Sequence, residues 1–161
     1  MRDRARWRNW GRNQQCNPAA VESPTSELEV VEAVQRAKRA GQTVKVVGAG
    51  HSFTGIACTD GRMLRLGGLN RIVAIDRDAG TVTVEGGIPL WQLNDELETR
   101  GLALPNLGDI DRQSISGAIA TATHGGGKVF GGLATFVTAL ELVTADGDVL
   151  RCSRGNGKGP E

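Results

Sequence analysis

The chain has 161 residues, with 19 lysines and arginines against 18 aspartates and glutamates, and a formal net charge of +1. Near neutrality gives no electrostatic reason to expect nucleic acid or an acidic membrane surface as a partner, and the length allows one core in at most two small lobes. No apolar run is long enough for a secretory signal or a transmembrane helix, so a cytoplasmic location is the expectation, with peripheral association to a membrane left open.

Arg2, Arg4, Arg6, Arg8 and Arg12 read as a short solvated arm. After Pro24, Ser26 and Glu29 form a capping-box pattern, Leu28, Val31, Val34 and Ala37 an apolar stripe, and Gly41 a stop, which together predict a helix. Thr43 to Gly48 follows as a buried strand, and Met63 to Leu66 as a short strand after a turn at Cys58-Thr59-Asp60-Gly61. Ile72 to Ile75 and Thr81 to Glu85 predict a hairpin with one buried face. Pro89 and the spacing of Leu90, Leu93 and Leu97 before Gly101 predict a second helix, with Trp91 packed in the core or between lobes. Ile115 to Thr123 reads as a short helix, and Thr138 to Thr144 with Val149 to Ser153 as a hairpin around Asp146-Gly147. The alternation is that of an α+β fold.

Two features carry chemistry. Val46 to Gly55 sets His51 in a glycine-rich turn after a strand, where backbone N–H groups can converge on a pyrophosphate. It is not a Rossmann fingerprint, because Phe53 stands where the third glycine belongs and a strand follows instead of a helix. Between Gly108 and Gly127, Ser114, Ser116, Gly117, Thr121, Thr123 and Gly125 are small, polar or both, which suits close approach to a ligand or simply tight packing. The predicted helix there would direct its first N–H groups at phosphate oxygens. Gly126-Gly127-Lys128 is no phosphate-binding loop, since Val129 replaces the magnesium-binding hydroxyl. His51 and His124 lack a third ligand at metal-binding spacing, and Cys16, Cys58 and Cys152, odd in number and far apart in sequence, read as reduced thiols.

The stretch VVGAGHSFTGIACTDG, residues 46–61, resembles the first flavin-contacting loop of the vanillyl-alcohol-oxidase, or PCMH-type, FAD-binding domain. EGGIPLWQLNDEL (residues 85–97) and GDIDRQSISGAIATATHGGG (residues 108–127) follow in the family's order, and WRNWGRNQQCNPAAVESPTSELEVVEAV fits its opening. Within that superfamily the likeness is greatest to aldonolactone oxidoreductases (gulono-, galactono- and arabinono-1,4-lactone oxidases and dehydrogenases), with alditol oxidases close by.

The resemblance implies a PCMH-type fold with two small α+β subdomains, of mixed sheets flanked by helices. It divides the chain into an N-terminal segment (1–20), the FAD-binding domain (21–153, incomplete at its C-terminus) and a tail (154–161). It places Val47, Gly48, Ala49, Gly50, His51 and Ser52 around the pyrophosphate and the dimethylbenzene edge of FAD. Covalent members join this histidine to the 8α-methyl carbon, so a bond through His51 is open to this chain. Gly108, Asp109, Ser114, Gly117, Ala118, Thr121, Ala122, Thr123 and His124 are also implied as cofactor contacts, with Arg112 available to neutralise Asp109.

The implied reaction is hydride transfer from a carbinol of a sugar lactone or polyol to flavin N5, with oxygen or a cytochrome-like carrier as acceptor. Full-length relatives continue past residue 153 into a further flavin-contacting segment and a cap domain with the substrate pocket, here expected in cis or in trans. No substrate or base residue of the family matches within the chain. The alternatives are a free-standing flavin-binding module, or an inactive fragment, and a protein whose glycine loops are only structural.

Overall fold

The computed structural model of the chain describes residues 6–154. Arg2 and Arg4 of the basic arm and residues 155–161 of the tail lie outside them. The chain opens with a two-stranded antiparallel hairpin, β1 (Trp7–Arg8) and β2 (Gln15–Cys16), so Arg6, Arg8 and Arg12 flank or belong to an ordered hairpin. β3 (Ala20–Glu22), α1 (Glu27–Arg39), β4 (Val44–Val47) and β5 (Arg62–Arg65) follow. The expected division after residue 20 therefore falls inside β3.

β3, β4 and β5 form a parallel sheet in the order β3-β5-β4, with α1 against β5. The central strand is covered on both faces, which is why its Met63 and Leu64 are fully buried, as parallel strands require. Trp7, Val47 and Met63 make the first core cluster, with Cys16, Val21, Ala57 and Cys58 packed around it.

Ser26 Oγ accepts from the Glu29 N–H at 3.2 Å, as an N-cap should. The return bond is displaced by one residue, because the Glu29 carboxylate accepts from the Thr25 N–H at 2.7 Å. Gly41, at φ +60°, ends the helix in the left-handed region, and the Gln42 N–H reaches the Ala37 carbonyl at 3.0 Å. The buried residues of α1 are Ala33 and Ala37. Leu28, expected on the apolar stripe, is 66% exposed; the small alanine at 33 carries the contact instead.

The second half begins with the antiparallel pair β6 (Ile72–Asp76) and β7 (Thr81–Val84). α2 (Leu90–Glu98) starts at Pro89 and stops before Gly101, whose φ is +68°. Its Leu93 and Leu97 join Ile88 in a cluster closed by Ile72, Val82 and Val84 of the hairpin. Leu90, also on α2, packs with Ala118 and Leu133 in a third cluster. α2 is thus the wedge between the hairpin and α3 (Ile115–Ala120). Trp91, expected in the core, points outward and is 40% exposed, because the inward-facing positions are already filled by the three leucines.

α3 is shorter than the sequence pattern suggests, since Ala122 adopts φ +53° and breaks the run. β8 (Ala139–Val143) and β9 (Val149–Ser153) complete the described chain as a hairpin whose turn glycine, Gly147, has φ +87°. An ion pair between Lys38 and Asp146 at 2.6 Å ties that turn to α1. The fold is α+β; each described sheet is wholly parallel or wholly antiparallel, and no single sheet is mixed. Among the described residues no helix is long and apolar enough to cross a membrane.

Candidate cofactor site

The turn after β4 is held from behind by the first hairpin. The Trp10 N–H donates to the Gly50 carbonyl at 2.9 Å, and Asn9 Nδ2 to the Ser52 carbonyl at 2.9 Å. Asn13 Nδ2 and Gln14 Nε2 donate to the Phe53 carbonyl at 3.0 and 3.3 Å. Three carbonyls of the turn are therefore turned toward the hairpin. The backbone N–H groups of residues 49–53 meet no acceptor among the described residues. A row of free donors in a glycine-rich turn is the arrangement that binds an anion without a charged side chain.

Glycines 48 and 50 are needed here for different reasons. A Cβ on Gly48 would sit 2.2 Å from Ser114 Oγ, so the turn and the start of α3 meet at van der Waals contact only because no side chain intervenes. Gly50 has φ +74° and backs onto the Trp7 ring and the Trp10 backbone. Ser114 is 6% exposed and its Oγ has no hydrogen-bond partner among the described residues. A buried hydroxyl without a partner is costly unless a ligand supplies one.

In front of the turn lies an open cleft of about 310 Å³ lined by His51, Phe53, Gly108, Asp109, Ile110, Gln113, Ala122, Thr123 and His124. Next to Gly108 and His124 of this lining the backbones approach closely, since a Cβ on Gly125 would lie 1.9 Å from the Leu107 carbonyl oxygen. Gln113 Nε2 donates to Thr123 Oγ1 at 3.0 Å, and Thr121 Oγ1 to the Gly117 carbonyl at 2.8 Å. His124 Nδ1 lies 3.0 Å from the Gly125 carbonyl, which can only accept; Nδ1 thus carries the proton and Nε2 is left free.

Of the residues expected to touch the cofactor, His51, Gly108, Asp109, Ala122, Thr123 and His124 share this cleft. Val47 and Ala118 instead face the core, at 4% and 0% exposure. Gly48, Ala49, Gly50 and Ser52 shape the turn, Ser114 meets Gly48 as the N-cap of α3, Gly117 lies on α3 and Thr121 ends it. Phe53, Ile110 and Gln113 line the cleft without having been singled out.

Two expectations change. Arg112 pairs with Asp111 at 3.3 Å, on the neighbouring residue, so it does not neutralise Asp109. The first N–H groups of α3 are also taken, Ile115 by the Ile88 carbonyl at 2.9 Å and Ser116 by the Gly86 carbonyl at 3.1 Å, so the helix end offers little to a phosphate. The free donors sit on the turn. No group of three His, Cys, Asp or Glu among the described residues is placed to hold a metal ion. Cys16 and Cys58, distant in sequence, pack on one core cluster; burial pushes the Cys58 thiol up and the neighbouring Cys16 adds to the shift.

Residues 18–153 match the family described as FAD binding domain. The chain belongs to that family. This FAD-binding domain is 49% identical over 150 residues to an L-gulono-1,4-lactone dehydrogenase of Mycobacterium tuberculosis (strain ATCC 25618 / H37Rv), covering 93% of the chain and 35% of that protein. It is 44% identical over 150 residues to an L-gulonolactone oxidase of Mus musculus, covering 93% and 34%. The chain thus spans about a third of the length of the curated relatives it matches. Among solved structures a solvent-stable cholesterol oxidase superposes with a TM-score of 0.79 at 23% identity, over 95% of the chain and 33% of that protein. That likeness speaks for the PCMH-type fold. The free donors of the turn, the unpartnered Ser114 hydroxyl and the cleft beside His51 fit FAD, whose pyrophosphate needs donors and whose ring needs an open slot.

Proposed function

We propose that this chain is the FAD-binding part of a flavin-dependent oxidoreductase that oxidises a sugar 1,4-lactone, or a related polyol, at a carbinol carbon. The observation that carries the reading is the turn at residues 49–53, with its N–H groups free and His51 at the mouth of the cleft. The substrate class rests on the relatives, named as lactone dehydrogenases and oxidases.

Bound FAD supplies the hydride acceptor and passes electrons on to oxygen or to a carrier protein. The chain's own residues bind and orient. The turn's N–H groups and Ser114 Oγ hold the pyrophosphate, and Thr123 and Gln113, already paired with each other, give the cleft wall a fixed polar edge. His124, whose Nε2 has no hydrogen-bond partner among the described residues, stands on the same wall. His51 is the attachment point for a covalent flavin. Its imidazole, lining the cleft, would hold the dimethylbenzene edge of FAD and could carry the flavin covalently. The substrate pocket and the base belong to a cap domain supplied in cis or in trans.

The test is to reconstitute the chain with FAD and look for flavin that survives acid precipitation, mapped to a peptide by mass. Flavin on the His51 peptide, absent from His51→Ala, is the expected result. Colourless protein, or acid-stable flavin on another residue, would overturn this site. The alternative reading, a flavin-binding module without catalysis of its own, predicts that lactone bleaches the bound flavin neither in the chain alone nor with a cap domain added.

A further inference from the structure

Trp10 is an indole held on the surface, 65% exposed, where burial does nothing to explain it. Its ring stacks on the His51 imidazole, with centroids 5.1 Å apart and planes 28° from parallel. Phe53 meets the same indole edge-on at 6.3 Å and 86°. The placement of Trp10 is not loose. Its own N–H is bonded to Gly50, and the preceding Asn9, 3% exposed, uses its amide three times: donating to Ser52 O and to Asn13 Oδ1 at 2.7 Å, and accepting from the Gln14 N–H at 3.0 Å. Gly11 completes the fit, for a Cβ there would come within 2.8 Å of the Phe53 ring.

The imidazole of His51 has less support of its own. Among the described residues His124 has a carbonyl against its ring and His51 has only the indole. A face-on stack fixes the plane of the ring while leaving both nitrogens on its rim, free to reach into the cleft. We propose that Trp10 is a positioning residue that holds the His51 imidazole in the orientation required for bond formation with flavin. The proposal rests on the covalent attachment described above. It assigns Trp10 no contact with FAD.

The experiment follows bound flavin and acid-stable flavin separately over time, after FAD is added to the chain and to Trp10→Leu, Trp10→Phe and His51→Ala. Loss of an aromatic pair is expected to slow the appearance of acid-stable flavin about two- to tenfold in Trp10→Leu. Total bound flavin stays unchanged, and Trp10→Phe recovers most of the rate. An unchanged rate in Trp10→Leu, with the flavin on His51, overturns the proposal, as does a parallel fall in total flavin that Trp10→Phe does not reverse. If wild-type chain binds flavin but none of it is acid-stable, the attachment reading is the one that fails. The stack is then judged without cofactor: the carbon-bound ring protons of His51 should shift in Trp10→Leu as the indole ring current is lost, and resonances that stay in place overturn it.

Discussion

Ser114 and Gly48 make opposite demands on the same few cubic ångströms. The hydroxyl is buried without a partner, and the glycine is what lets it be there. Ser114→Ala removes an unsatisfied polar group, so its melting temperature should equal or exceed wild type, whereas FAD affinity should fall about tenfold with the loss of a donor to a charged oxygen. Calorimetry and FAD titration on the same samples check both halves. Gly48→Ala should lose about 1–3 kcal/mol by overpacking. Adding Ser114→Ala to it should restore part of that, because the Ser114 Cβ remains 3.3 Å from the new methyl. Equal stability of the single and double variants would disprove the contact.

Asn9→Ala strands the Ser52 carbonyl, the Asn13 amide and the Gln14 N–H. It should cost about 1–3 kcal/mol in urea denaturation. The importance of Asn9 was not legible in the sequence. Its partner Ser52 lies 43 positions away, and a hydrogen bond across such a span leaves no periodicity to read. His51, by contrast, stood out because a histidine among glycines is locally unusual. Phe53, Ile110 and Gln113 escaped notice because small residues were taken as the sign of ligand approach, whereas the cleft wall also needs bulk.

The elements themselves were easier to foresee. α2 was readable from Leu90, Leu93, Leu97 and Gly101, which act within one helix. On α1 the stripe placed Ala37 correctly but included the exposed Leu28 and missed Ala33, because an alanine is too small to dominate an apolar pattern, yet small residues are what allow a helix to lie close on a sheet. α1 and the parallel sheet are also joined electrostatically. Glu22 on β3 receives hydrogen bonds from Arg36 of α1 and Arg62 of β5. Burial pushes the Glu22 carboxyl up, but the two guanidinium groups outweigh it and the net shift is downward. A carboxyl that binds its proton more weakly when folded contributes fully above its unfolded value, about 4.3, and loses that contribution as pH falls through the lowered native value. The melting temperature of the wild type should therefore drop more steeply than that of Glu22→Gln as pH falls from the unfolded value through the lowered native one. Superimposable acid limbs would remove this pair from the account.

At the scale of the molecule, the thiols report on how tightly the first hairpin is closed. Cys152 is exposed, while Cys16 and Cys58 lie half-buried on the Trp7 cluster and the Cys58 thiol is raised. Alkylation at neutral pH should reach Cys152 first and Cys58 last, because the thiolate is the reacting form. Asn9→Ala should speed labelling of Cys16 and Cys58 and leave Cys152 unchanged. Labelling followed by peptide mapping checks the order.

The parallel sheet has its middle strand last in the chain: β3 and β4 both pair with β5 and not with each other. During synthesis neither can be satisfied until residues 62–65 have emerged, so this half of the molecule closes in one late event. The glycine turn is the link between β4 and β5, and it acquires its shape in that same event. Cofactor capture and assembly of the first core are then one equilibrium, and FAD acts as a folding ligand for a region much larger than its own contacts. Amide hydrogens of β3, β4 and β5 should gain protection together when FAD is added, by the same free energy.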